Sequence, residues 1–413
     1  MSFDDFGLCQ PQQLRLNTLH PVHLMLSTLS TPAALIDAPR LQRNLVHMQQ
    51  RITALGVRLR PHVKTSKCLP LVQAQLALGA QGITVSTLKE AAQFAAAGIT
   101  DITYAVGIAP AKLPQVLALR RAGCALKILT DNAASATAIA DFGRAHGEAF
   151  EVLIEIDTDG HRSGIAPESA ELITVGRALH EGGLQLTGVL THAGASYECN
   201  TPAALQAIAE QERAGCVRAA QRLRSAGLPC PVVSVGSTPT ALSAVQLAGV
   251  TEVRAGVYVF MDLVMCNVGV CTQADVALSV LTTVIGHQLD KGWALVDAGW
   301  MAMSRDRGTQ QQATDYGYGQ VCSVDGTPLP GYVLSGANQE HGIVSHTGAD
   351  GPGAGGPGAG VPGAADNIAA RFPIGTLLRI LPNHACATAA QFGAYQVVDA
   401  AGGLAEWPRF NGW

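Results

Sequence analysis

The chain has 413 residues, of which 48% are hydrophobic and 14% charged, with 45 glycines and a formal net charge of −4. That length exceeds one average domain and suits a large barrel with a smaller second domain around an extensive apolar core. The mildly acidic balance leaves no basic excess to neutralise phosphates, so a nucleic-acid partner is excluded.

Residues 1–13 are polar and acidic, with Asp4 and Asp5, and lack the basic start and apolar core of a signal peptide. No run of about 18 consecutive apolar residues occurs, so no membrane span is expected. Ten cysteines lie at positions 9, 68, 124, 199, 216, 230, 266, 271, 322 and 386, with no framework spacing and no CxxC pair. They read as mostly buried small hydrophobes in a reduced, cytoplasmic protein.

From about residue 31 to 260, short β-branched runs alternate with longer Ala/Leu-rich segments. The first strand-like runs are AALID (33–37), VRLRPHVK (57–64), GITVST (82–87) and DITYAV (101–106). LKILTD (126–131), FEVLIEIDTD (150–159), LTGVLTHAG (186–194), PVVSVGST (231–238) and VTEVRAGVYVF (250–260) follow. Helical patterns such as LPLVQAQLALGA and LKEAAQFAAAG lie between them and close on glycine. The strands are continuous apolar runs rather than alternating ones, as expected when helices cover a parallel sheet. This repetition predicts an α/β protein with a (β/α)8 TIM-type barrel over residues 25–265, an open doubly wound sheet being the alternative.

After about residue 273 the texture turns to β-like runs separated by turn signals, as in VALSVLTTVIGH, GWALVDAG and TLLRILPNHAC. A second, mainly β domain is expected, formed by residues 1–24 and 266–413. Within it, residues 348–365 read GADGPGAGGPGAGVPGAA, a flexible insert without core-forming side chains.

Three clusters carry chemistry. In VRLRPHVKTSK, period-two spacing puts Arg58, Arg60, His62 and Lys64 on one strand face, and Pro61 suggests that this strand end does more than pair. A lysine at a barrel mouth would be poorly solvated, which frees its amine for a Schiff base; by spacing alone it could equally be an ordinary loop lysine. Gly236, Ser237 and Thr238, then Gly256 and Tyr258, end the two last strands, where backbone amides and hydroxyls suit a phosphate; the plain alternative is a pair of turns. Finally, His384-Ala385-Cys386 would place an imidazole and a thiol on one face if the segment is a strand. That pair suits Zn²⁺ and leaves open coordination positions, although a buried His beside a buried Cys is the commoner outcome of such spacing.

RPHVKTSK followed by GITVSTLKEA resembles the fold-type III pyridoxal-phosphate (PLP) family that contains D-serine dehydratase and D-threonine aldolase. THAG, RAGVYVFMD, VDAG, EHG and NHAC extend the likeness in order over nearly the whole chain. The resemblance implies an alanine-racemase-like barrel, a C-terminal β domain and Lys64 as the cofactor lysine. Arg254 and Arg162 then compete for the pyridine nitrogen, with Arg162 preferred. A guanidinium there leaves the ring unprotonated and a weaker electron sink, so elimination needs help at the leaving group. His192 and Tyr197 in THAGASY would orient the ring or the substrate carboxylate, loop packing being the other reading. His384 and Cys386 would hold a divalent cation, zinc first, with manganese or cobalt as alternatives. Cysteine at this position sides with the dehydratases.

The resemblance thus implies a homodimeric lyase that removes water and ammonia from a D-3-hydroxy amino acid, D-threo-3-hydroxyaspartate or D-serine. Arg60 or Arg305 would meet a second substrate carboxylate. The rivals are an aldolase that cleaves Cα–Cβ with the same lysine and metal, a racemase, and a PLP carrier without catalysis.

Overall fold

The computed structural model describes residues 25–348 and 368–413. The expectations for residues 1–24, and for the Gly/Pro insert beyond Gly348, lie outside them. The chain enters with strand β1 (Ala33–Asp37) and helix α1 (Ala38–Ala54). Asp37 caps that helix by accepting from the Arg40 amide, and Leu41, Leu45, Met48 and Ile52 form its buried stripe.

Eight strands then follow: β2 (Arg58–Leu59), β3 (Ile83–Val85), β4 (Asp101–Gly107), β5 (Ala125–Thr130), β6 (Glu151–Ile156), β7 (Gln185–Thr191), β8 (Val232–Val235) and β9 (Glu252–Val253). Helices separate most of them: α2 (Leu69–Ala77), α3 (Leu88–Ala96), α4 (Leu113–Arg121), α5 (Ala133–His146), α6 (Glu171–Glu181), α7 (Pro202–Ser225) and α8 (Thr238–Ser243). All neighbouring pairs are parallel, in the order β2-β9-β8-β7-β6-β5-β4-β3. The ring closes where His62 bridges Thr84, with Val63 N–H donating to Thr84 O at 2.9 Å and Thr84 N–H to Pro61 O at 2.7 Å. Both faces of these strands are buried, which is why they read as continuous apolar runs. The barrel expectation holds.

After the short helix α9 (Leu263–Val268) come β10 (Leu278–Gln288), β11 (Trp293–Val296), helix α10 (Trp300–Met303), β12 (Gly319–Cys322), β13 (Pro328–Ala337) and β14 (Gly342–His346). Helix α11 (Ile368–Arg371), β15 (Leu377–Pro382), helix α12 (Ala385–Ala389), β16 (Ala394–Val398) and β17 (Leu404–Pro408) complete the chain. Six of these strands, β10-β11-β14-β13-β12-β15, close antiparallel on one another around Val280, Val284, Val296, Leu334, Val344 and Ile380.

The first predicted strand is a correction. AALID pairs antiparallel with β10 and parallel with β16, so residues 33–37 belong to the β domain and not to the barrel. The barrel therefore begins at α1 rather than at residue 25. A short apolar run shows that it is buried on both faces but not against which sheet.

Candidate active site

A cavity of about 960 Å³ opens at the C-terminal ends of the barrel strands and is walled on its far side by the β domain. That is the end of a barrel where loops, free of sheet pairing, present side chains to a ligand. Pairing of the Lys64 strand with β9 continues past β2 through Arg60 N–H to Val253 O at 2.9 Å and His62 N–H to Ala255 O at 2.8 Å. Beyond it the chain turns and delivers His62, Lys64 and Thr65 to the cavity. The turn is anchored from the β domain: the Tyr395 hydroxyl donates to Ser66 O at 2.7 Å and Phe410 N–H to Lys67 O at 2.8 Å.

Lys64 is exposed to the open cavity and not desolvated as the sequence suggested. Its backbone amide donates to His62 Nδ1 at 3.4 Å. Burial, together with the charges of Lys64 and Arg254 and the nearby His192 and Arg162, pushes the His62 pKa well down, so this ring stays neutral. Arg60 keeps the predicted face, reaching the same Glu252 carboxylate as Arg58, but it is buried, paired with Glu252 and Asp101, both at 2.9 Å. It does not line the cavity, and neither does Arg305, which lies over the Trp300 ring.

His192 follows β7 and faces the cavity, with Nδ1–H donating to Gly236 O at 3.1 Å. Burial drives its pKa down to about 3; the Gly236 carbonyl opposes this, while the charges of Arg162, Lys64 and Arg254 reinforce it. The Tyr197 ring sits 6.1 Å from the His192 ring, and burial pushes its phenol pKa up, helped by the Cys386 and Asp262 charges. Arg162 lines the cavity on an exposed loop, with no ion pair among the described residues. Arg254 is its opposite. It is 4% exposed, donates to Ser234 Oγ at 2.8 Å and Thr191 O at 2.6 Å, and keeps a buried Nε–H without a partner. An orphaned donor of this kind is costly unless a ligand accepts from it.

Gly236, Ser237, Thr238 and Gly256 all line the cavity. At Gly236, with φ +132°, a Cβ would run into the Arg254 carbonyl oxygen. At Gly256 a Cβ would lie 2.9 Å from His62 O and 3.2 Å from Thr65 Oγ1. Only glycine lets these backbones pack this closely against the neighbouring loops. The Gly236 and Ser237 amides are already committed, to Glu212 at 2.9 Å and to Thr240 Oγ1 at 3.0 Å. Tyr258 is a correction. Its side chain points into the core and accepts from Gln75 Nε2 at 2.7 Å, while only its backbone amide, on Thr238 Oγ1 at 3.2 Å, supports the loop. Glu212, which sequence reasoning missed, also accepts from Ala193 N–H at 3.0 Å and so pins the His192 loop to the Gly236 loop.

The far wall holds His384 and Cys386. They do not lie on a strand as expected. β15 stops at Pro382, His384 is the N-terminal cap residue of α12, and Cys386 sits in that helix's first turn. The two side chains nevertheless lie close enough for each to shift the other's proton. Asp306 accepts from His384 Nδ1 at 2.6 Å. Asp262 accepts from Ala385 N–H at 2.9 Å, fixing the turn, and Asn383 is held by Gly317 O at 2.6 Å. Burial opposes charge on both members of the pair, yet mutual attraction wins. His384 rises to about 11 through Asp306 and Cys386, and the Cys386 thiol falls below its ordinary value, chiefly through His384. An imidazole and a thiolate that share one proton form a donor set in which a soft divalent cation can replace that proton. Among the described residues no cluster of three or more His, Cys, Asp or Glu is arranged to hold a metal ion. The pair could supply two ligands, with water and substrate completing the set. The carboxylate on the second imidazole nitrogen is the usual companion of a metal-bound histidine.

The donors around the cavity thus fit both an anionic, lysine-linked cofactor on the barrel side and a cation opposite it. Fold and site together define a barrel enzyme of the alanine-racemase type joined to a β domain of the serine-dehydratase type. Residues 36–264 match the family model "Alanine racemase, N-terminal domain", and residues 277–398 match "Putative serine dehydratase domain". The chain belongs to the alanine racemase N-terminal domain family, in the branch that carries this second domain. It is 67% identical over 389 residues to the D-threo-3-hydroxyaspartate dehydratase of Delftia sp. (strain HT23), which covers 94% of this chain and 99% of the relative. A solved D-threo-3-hydroxyaspartate dehydratase mutant, described as in the metal-free form, superposes with a TM-score of 0.89 at 66% identity, covering 94% of this chain and 99% of that one. The D-serine dehydratase of Dictyostelium discoideum is 28% identical, over 91% of this chain and 94% of its own.

Proposed function

We propose that the chain is a lyase that removes water from a D-3-hydroxy amino acid, giving a 2-oxo acid and ammonia, with PLP on Lys64 and a divalent cation on His384 and Cys386. D-threo-3-hydroxyaspartate is the foremost substrate and D-serine the second. The observation that carries this reading is the convergence of the Lys64 loop and the Cys386 thiol on one cavity, with Thr65 Oγ1 and Cys386 Sγ 3.1 Å apart. When bound, the cofactor supplies an electron sink for a carbanion at Cα and the cation a Lewis acid for the 3-hydroxyl, a poor leaving group without one.

The protein's own groups do the remaining work. The Lys64 amine, on a loop anchored at Ser66 and Lys67, takes the proton from Cα. Bare backbone at Gly236 and Gly256, with the Ser237 and Thr238 hydroxyls, forms the phosphate end. Both arginines of the cavity, Arg162 and Arg254, would meet the ring as cations, and neither would hand a proton to a pyridine nitrogen. The unused Nε–H of Arg254 supports placing it at the ring edge. The neutral His192 and Tyr197 would hold the ring without adding charge. Arg60 and Arg305 lie elsewhere, so the second carboxylate of a hydroxyaspartate is met by a cation of the cavity itself. The thiolate favours zinc over manganese or cobalt. We read the enzyme as a cytoplasmic homodimer with a small-molecule substrate. Its cysteines form no disulfide among the described residues, and none of the described helices is long and apolar enough to cross a membrane.

Product analysis over D-serine, D-threonine and both 3-hydroxyaspartate diastereomers tests the reading. Ammonia with a 2-oxo acid, abolished by chelator, is expected. Glycine with glyoxylate or another aldehyde would instead establish the aldolase.

A further inference from the structure

Each of the two candidate cation ligands has a hydrogen-bond partner of its own. Asp306 holds His384, and it comes from the β domain itself. The partner of Cys386 comes from the other domain: Thr65 Oγ1 lies 3.1 Å from Sγ, although 321 residues separate them in sequence. Thr65 is 1% exposed and is the immediate neighbour of Lys64. Its hydroxyl makes no other hydrogen bond among the described residues. The fold makes room for it, because the Cβ that Gly256 lacks would stand 3.2 Å from this oxygen. Its loop is held on both flanks, by Val63 N–H on Thr84 O at 2.9 Å and by the Tyr395 hydroxyl on Ser66 O at 2.7 Å.

Resting on the metal reading above, we propose that Thr65 is a positioning residue whose hydroxyl donates to the Cys386 thiolate and so fixes the cation relative to the Lys64 amine. A thiolate carries no proton, so in the loaded site the hydroxyl is the donor. The reaction gives this contact its purpose. Proton removal at Cα and loss of the hydroxyl at Cβ occur on adjacent carbons of one substrate, so the amine and the cation must keep a set separation. The amine sits on the barrel and the cation on the β domain, and this hydrogen bond spans the boundary one residue from the amine. Outer partners of this kind also tune the ligand, since a hydrogen bond to sulfur draws electron density away from the metal.

The test uses the PLP-loaded enzyme, stripped of metal by chelator and titrated with Co²⁺ alone, reading the thiolate-to-cobalt charge-transfer band. Wild type should show the band. Thr65→Val keeps the shape and removes the donor. It should weaken cobalt binding by about 10-fold or more and move the band to longer wavelength, because an unbonded thiolate donates more strongly. Thr65→Ser should restore affinity and band position. Thr65→Ala, which also lacks the hydroxyl, should repeat the Val result and serves if Val does not fold. In all variants the visible absorbance of the lysine-bound cofactor should persist. If wild type shows the band and both Val and Ala match it in affinity and wavelength, Thr65 has no such role. If wild type shows no band and Cys386→Ala takes up cobalt equally, the metal reading itself falls, and this proposal with it.

Discussion

The barrel wall of the cavity and its β-domain wall carry opposite charge. Lys64, Arg162 and Arg254 stand on the barrel side, and together with burial they keep His62 and His192 neutral. Burial pushes even the carboxyl of Glu155, on the same wall, away from its charged form, with Arg162 and Arg254 opposing. Across from them are the Cys386 thiol, depressed by its histidine, and Asp306, two acids against the one cation His384. Anions, such as a phosphate and a substrate carboxylate, belong against the first wall, and a cation belongs against the second. On the proposed reading, a hydroxy amino acid with its carboxylate on one side and its hydroxyl on the other would span the two, and the division of charge would orient it before any chemistry.

Removing a group from either wall should therefore fail in a different way. Lys64→Ala should lower ammonia release by more than about 10³-fold and abolish the visible cofactor band. Retention of about a tenth of the activity would remove the barrel wall from the chemistry. Cys386→Ala or His384→Ala should lower ammonia release by about 10²-fold, the loss of a Lewis acid, and empty the protein of metal by atomic absorption. The cofactor band should stay, and its loss would show that the walls do not act separately. Gly236→Ala brings a Cβ against the Arg254 carbonyl oxygen and should cost about 1–3 kcal/mol of stability, with weaker PLP binding by fluorescence titration.

The smallest effect lies beneath the barrel wall. Burial works against charge on Asp101, but Arg60 and Lys127 bring its pKa below the ordinary value. Its contribution to stability is thus present above about pH 4 and is lost as the pH falls through the depressed folded-state value. Asp101→Asn should melt below wild type at neutral pH, and the two should converge in acid. A constant gap across pH would show that the carboxylate charge is not what matters.

These walls were not equally legible. The barrel announced itself through continuous apolar strands, and Lys64, Gly236, Thr238 and Arg254 each lie just past a strand end, where chain order alone places them at the mouth. The period-two alternation of Arg58, Arg60 and His62 follows the ladder to β9, but it could not say which of them reaches the cavity: His62 does, while Arg60 is taken up by Glu252 and Asp101. AALID read as a barrel strand because an apolar pentapeptide carries no mark of its partner. The β-domain wall was harder. His384 and Cys386 stood out as a pair, but the segment is a strand end running into a helix. Their supports are 78 residues away at Asp306 and 123 from Ala385 at Asp262, separations at which no spacing rule operates. Asp262 ends the RAGVYVFMD motif and Asp306 follows VDAG by seven residues, and that is the only signal the sequence offered for them.

The most direct test is borohydride reduction of the purified protein followed by peptide mass spectrometry. The peptide containing Lys64 should carry the mass of a reduced pyridoxyl phosphate, with loss of the visible absorbance. An unmodified Lys64, or the adduct on another lysine, would contradict the account.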